Sequence, residues 1–271
     1  KRKGPELLKR VLKREDIIEE VRSLFIASIP TESRFWNLLR EYPDDEKIFW
    51  IKAEFISVPE KDIVAAIEML LHFDLPGQAI NVAGRAIGMA PHQVSFSSRT
   101  QEVSSLVLDP KLLTSVLWAA DEELKTCPGY IPFCIENLGI IFDYLVDNKL
   151  STADLVSLEF SYFIFLDGMS KSYALKYAIG SDPDLFLSLA CGKVSSEQSI
   201  YPLIDFNDQS LAKMVLSKWD GFPGQQKDDT LNEELMHSWV KHVRSKLNSS
   251  DFTSDLVPDM VNSCYVFWGQ A

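Results

Sequence analysis

STADLVSLEFSYFIFLDGMSKSYALKYAIGSDPDLFLSLACG, residues 151–192, carries helix starts and stops in one line, and its apolar residues fall at helical spacing. Ser151 followed by Asp154 matches a capping box, whose hydroxyl and carboxylate satisfy free amides at a helix start. Leu155, Leu158, Tyr162, Phe165 and Leu166 recur every three or four residues and so share one face, a spacing that predicts a helix ending at Gly168. A second short helix is expected from about Tyr173 to Ile179, stopped by Gly180. A third opens with Asp182 as cap and Pro183 at its first position, where the missing amide costs nothing. Short helices with wide apolar faces cannot bury those faces alone. They must stack on further helices, and the expected fold is therefore all-α, with stacked antiparallel helix pairs forming a TPR/HEAT-like α-solenoid.

The 271 residues are 46% apolar, enough for a sizeable core. The formal charge of −12 is unevenly spread. Seven of the 27 basic residues (Lys1, Arg2, Lys3, Lys9, Arg10, Lys13 and Arg14) and one of the 39 acidic residues (Glu6) lie in the first 14, which leaves 20 basic against 38 acidic, or −18, for the remainder. A body that acidic repels phosphate backbones, so nucleic acid is excluded as a partner except through that basic head. Residues 1–30 are read as a basic N-terminal helix or linker, and 31–271 as the helical repeat domain, with a division near 91–108. Lys1 in place of Met, together with an apolar and uncapped end, leads us to expect a fragment of a larger protein. Cys127, Cys134, Cys191 and Cys264 are too few for a disulfide scaffold and match no common zinc spacing, which points to a reducing cytoplasm. No run of 18 apolar residues appears, so no membrane span and no membrane partner are expected.

Upstream, Leu7, Val11, Ile18, Val21 and Phe25 lie near one stripe, with Pro30 ending it. Thr31 is read as the cap of TESRFWNLLREY, which Pro43 stops, and Asp44 and Asp45 sit at the next helix start, where the backbone dipole favours negative charge. PEKDIVAAIEMLLHF, the turn at 75–77 and QAINVAGRAIGMA form the clearest helix pair, with Ala79, Ala83 and Ala86 spaced for close approach. Residues 91–104 read as a polar connection. Asp109 and Pro110 restart a helix to about Thr126, and another is expected from Phe133 to Val146. Downstream, a helix is expected from about Gln209 to Trp219, then a Gly/Pro loop, then a second capping box at Thr230 and Glu233 opening a helix with Leu235, Trp239, Val243 and Lys246 near one line. The total is roughly a dozen helices and no strand.

No catalytic constellation stands out. His72, His92, His237 and His242 are scattered, with the closest two five residues apart, off the spacing that aligns two ligands on a helix. No metal, cofactor or catalytic residue is assigned. Glu159, inside the apolar LEFSYF, reads first as a structural carboxylate bonded to a neighbouring helix and second as a buried acid or base. GKVS at residues 192–195 lacks the upstream glycine and the strand that a phosphate loop needs. Trp36, Trp50, Trp118, Trp219, Trp239 and Trp268 are core candidates by default. Trp219 and Phe222 flank the Gly/Pro loop and, with Trp239, are the candidate partner-binding residues.

Several short blocks carry a family likeness: Phe35-Trp36, Phe49-Trp50, Leu70-Leu71 with Pro76 and Ala79, Leu158-Glu159-Phe160 with Leu166, Asp182-Pro183 with Phe186, and Trp219 with Pro223-Gly224, Leu235, Trp239-Val240 and Arg244. Together they resemble the helical repeat region of large bacterial conflict or antiphage-defence proteins, TPR-like α-solenoid parts of multidomain NTPase- or nuclease-type polypeptides. That resemblance implies a non-catalytic interaction or sensor module that binds a protein partner, a phage trigger or another copy of its parent. The alternatives are an all-helical nuclease or hydrolase using Glu159 and a histidine, or a structural spacer between effector and sensor.

Overall fold

A computed structural model describes residues 3–14, 16–53, 55, 58–88, 107–126, 135–166, 173–192, 201 and 204–247. The described residues form fourteen α-helices and one 3-10 turn, and their only β pairing is an isolated bridge between Gln225 and Leu231. The chain divides into two compact units, Lys1–Tyr144 and Leu145–Ala271. The division falls inside a helix rather than near 91–108. The polar 91–104 stretch, Lys1, Arg2, His92, Cys127, Cys134, Cys264, Trp268, Gly168 and the GKVS segment beyond Gly192 lie outside the described residues.

The first unit begins with α1 (Lys3–Leu12), α2 (Glu19–Ala27), α3 (Ser33–Leu39) and α4 (Pro43–Lys52). The basic head is helical over α1, where Leu8 and Leu12 are buried, and α1 packs on α3. Asp45 lies in the first turn of α4, as expected of a dipole partner, and also turns inward. Its carboxylate accepts from Arg22 Nε at 2.7 Å, and Arg22 also donates to the Leu12 and Arg14 carbonyls, tying α1, α2 and α4 together. Thr31 does not cap α3, because Glu32 holds the cap position without a side-chain bond. The Ser33 amide donates to Asp62 Oδ2 at 3.0 Å, so a residue 29 positions away does the capping. Asp62 belongs to the 3-10 turn Glu60–Asp62 that leads into α5 (Ile63–His72). α6 (Pro76–Gly88) folds back on α5, with Ala79 and Ala83 wholly buried, as small residues at close approach require. α7 (Pro110–Thr126) packs on both, and its first turn is capped by Asp109, whose Oδ1 accepts from the Lys111 amide at 2.9 Å. α8 (Ile135–Asp147) joins α6 through Asn137 and Asn81, 2.8 Å apart, and runs across the division between units.

In the second unit, α9 (Thr152–Ser161) opens on Ser151, whose Oγ accepts from the Asp154 amide at 3.2 Å. The helix expected to reach Gly168 breaks at Tyr162 and resumes as the single turn α10 (Phe163–Leu166). α11 (Leu175–Ser181) runs through Gly180, which is wholly enclosed. α12 (Pro183–Cys191) starts on Asp182, bonded to the Asp184 and Leu185 amides, and closes on left-handed Gly192 at φ 65°. α13 (Gln209–Lys218) starts on Asp208. α14 (Glu233–Leu247) is capped by Asn232, whose Oδ1 accepts from Leu235 N, and not by Thr230, whose hydroxyl turns back to Asp228 and Gln226. α12 is the hub of this unit and packs on α11, α13 and α14.

Candidate functional site

The loop of residues 219–232 joins α13 to α14 and docks on α11. Its conformation is fixed by its own polar groups. Gln225, with 2% of its surface exposed, accepts from the Phe222 amide through Oε1 (3.1 Å) and donates through Nε2 to Asp229 (2.6 Å). Gly224 sits at φ 79°, and a Cβ there would lie 2.6 Å from the Asn232 carbonyl, so a left-handed, side-chain-free residue is required. The Gly224 amide donates to the Gly180 carbonyl at 2.7 Å, the Asn232 amide donates to Gly224, and the Gln226 amide donates to Thr230. Gly180 completes the fit: a Cβ on it would stand 2.6 Å from the Phe222 carbonyl.

Trp219 and Phe222 are both half-buried on this loop. The Trp219 indole N–H donates to the Lys176 carbonyl of α11 at 3.2 Å, and its ring lies 6.0 Å from Phe186. Trp239 is a different case. With 2% of its surface exposed it presents no face to a partner, since its N–H is bonded to the Ile179 carbonyl at 3.1 Å and its ring packs 4.8 Å from Phe186. Its helical stripe with Val243 faces inward.

Charge surrounds the loop. Lys176 Nζ lies 3.5 Å from Asp220 and 3.6 Å from Asp229, both largely exposed. Burial raises the Tyr177 hydroxyl above its ordinary range, and the nearby Asp229 carboxylate adds to it. The Asp228 carboxylate is held below its usual range by the Thr230 hydroxyl. None of Lys176, Gln225 or Asp229 stands out in the sequence, because their partners are brought together only by the fold. The one visible signal was the Gly/Pro punctuation itself.

Glu159 is buried, and its carboxylate faces the start of α11: Oε1 accepts from the Tyr173 amide at 2.9 Å, and Oε2 from the Ala174 and Leu175 amides at 2.7 Å each. His242 Nε2 lies 2.9 Å from Asp184 Oδ1, joining α14 to the first turn of α12, with both side chains partly exposed. Asp182 beside this pair is raised above the usual carboxylate range, chiefly by burial, and burial pushes the Tyr201 hydroxyl up to about 12. His72 and His237 are exposed and far apart in sequence. Among the described residues no three His, Cys, Asp or Glu side chains cluster closely enough to hold a metal ion, and no helix is long and apolar enough to cross a membrane.

Compared with known protein families, curated proteins and solved structures, the chain matches none.

Proposed function

We propose that this chain is a non-catalytic, helical protein-interaction or sensor module of a larger bacterial defence protein, with its helix pairs stacked as a solenoid in the cytoplasm. It binds a protein partner or phage trigger, and its contact surface is the loop bearing Trp219 and Phe222. The observation that carries this reading is the loop's construction: two half-exposed aromatic side chains on a backbone fixed to α11 by Gly224 and Trp219. Aromatic anchors held rigid before contact lose little freedom on binding, which is how a few residues come to dominate an interface. Capture from phage-infected bacterial lysate, followed by titration of the captured protein, tests it. Trp219→Ala with Phe222→Ala is expected to weaken that partner by about thirtyfold, the effect of losing roughly 2 kcal/mol of anchor contacts. Unchanged affinity in a variant with wild-type circular dichroism removes the loop from the account.

A second reading, a hydrolase or nuclease, draws on the partly exposed His242–Asp184 pair, in which a carboxylate orients an imidazole for proton transfer. Turnover of RNA, DNA or a nucleotide with magnesium, lost in His242→Gln, would replace the interaction reading.

A further inference from the structure

α11 is a helix of seven residues whose own cap position, Ala174, has no side chain able to accept a hydrogen bond. Its free amides, which every helix leaves at its start, are met instead by Glu159 from α9. A carboxylate suits this place because both oxygens accept and its negative charge opposes the positive end of the helix. The rest of α11 is taken up by the 219–232 loop and the helix after it. The Lys176 carbonyl receives the Trp219 indole, the Gly180 carbonyl receives the Gly224 amide, and the Ile179 carbonyl receives the Trp239 indole. The Lys176 ammonium lies between Asp220 and Asp229. The backbone and indole hydrogen bonds that tie the loop to α11 therefore end on one short helix, and the far end of that helix is held by Glu159.

We infer that Glu159 is a positioning residue for the 219–232 loop, acting through α11. Glutamine at 159 keeps the size and loses the function, because one of its two terminal atoms is an NH2 that faces amide donors it cannot accept from. α11 then loses its start, and the carbonyls of Lys176 and Gly180 no longer hold Trp219 and Gly224 in register. This rests on the loop being a contact surface only for its consequence in binding; the positioning itself is measured without any partner.

Hydrogen exchange followed by mass spectrometry on the full chain tests it. Glu159→Gln is expected to speed exchange by about tenfold or more in peptides covering 173–182 and 219–232. Peptides of α13 and of α5–α6 should keep their wild-type rates. Ser151→Ala is the control: it removes the cap at the opposite end of α9 and should speed exchange in the loop no more than in the rest of the second unit. Coupling must also run in reverse, so Gly224→Ala, whose Cβ meets Asn232 and Met236 and so disturbs the loop and the first turn of α14, should speed exchange at the Tyr173, Ala174 and Leu175 amides. Glu159→Asp retains the charge at shorter reach and should give an intermediate rate, which keeps the test usable if the glutamine variant does not fold. Acceleration spread evenly over the second unit, or none in 219–232, overturns the inference. Neither result depends on a partner being found, so failure here and failure of the proposed function are told apart.

Discussion

The two units both build their interiors on tryptophan, but they treat the indole N–H in opposite ways. In the first, Trp50 is wholly buried in an aromatic cluster. Its ring stacks on Phe55 at 5.1 Å and 4° and on Phe73 at 6.0 Å, with Phe49 edge-on at 5.2 Å and Trp36 at 5.3 Å. Among the described residues its Nε1 has no hydrogen-bond partner. In the second, Trp219 and Trp239 each donate to a carbonyl of α11. An unmatched buried donor costs about 1–3 kcal/mol, a loss that the stacked rings of the first unit must offset through burial and ring contacts. The first cluster is thus held by area and shape, which tolerate small displacement. The second is held by directional bonds, which fix position, and that is the arrangement expected where a loop must be presented in one conformation.

Dependence on pH gives the largest expected contrast. Tyr201 is 6% exposed and its hydroxyl is pushed up to about 12, by burial first and by Asp182 second. The folded chain holds a proton that the unfolded chain releases above about pH 10. The stabilisation is therefore complete below pH 10 and is lost as pH climbs to 12, amounting to about 2–3 kcal/mol for a shift of about two pH units. Asp182 acts in the same sense at lower pH: its raised folded value means stability falls as pH rises through the region just above the ordinary carboxylate range. Urea unfolding at pH 9, 10 and 11 should show the alkaline loss, and Tyr201→Phe should flatten it. A loss unchanged in that variant would place the titrating group elsewhere.

Replacing each tryptophan by phenylalanine sharpens the comparison further. Trp239→Phe leaves the Ile179 carbonyl without its donor inside the core, whereas Trp50→Phe removes the unmatched N–H altogether. Both lose ring volume, so the difference isolates the hydrogen bond. Trp239→Phe is expected to be the more destabilising by about 1–2 kcal/mol in denaturant unfolding. Equal costs would mean that the bond to Ile179 contributes nothing net.

Local chemistry was legible in the sequence, and long-range chemistry was not. Ser151, Asp182 with Pro183 and Asp109 with Pro110 could be read as helix punctuation because each acts within three residues of itself. Thr31 and Thr230 were misread because Asp62, distant in sequence, and Asn232, two residues on, take the capping roles. The inward turn of Asp45 was hidden for the same reason, its partner Arg22 lying 23 residues upstream. At the candidate site, Trp219 and Phe222 could be picked from the Gly/Pro loop that carries them, and Glu159 from its apolar surroundings. That Glu159 supports the helix beneath that loop depends on α9 and α11 packing side by side, which no spacing rule encodes. Trp239 shows the converse: an amphipathic stripe names a residue that packs but does not say against what.

The smallest expected effect concerns how the helices begin. In the second unit α9, α12, α13 and α14 are each capped by the side chain of the residue just before them: Ser151, Asp182, Asp208 and Asn232. In the first, α2, α3 and α4 have no side-chain cap of their own. Losing a cap costs about 1 kcal/mol. Ser151→Ala and Asp208→Ala are therefore expected to lower the unfolding free energy by that amount, seen as a lower denaturant midpoint with the slope unchanged. Ile18→Ala, at the uncapped start of α2 and 68% exposed, should shift it by less than about 0.5 kcal/mol. The informative member is Asp62→Ala, which removes the distant acceptor of the Ser33 amide. If it costs as much as Ser151→Ala, the first unit caps α3 from afar as effectively as the second unit caps its helices locally, and the contrast between the units narrows to their tryptophans. If it costs nothing, the start of α3 is held by packing alone.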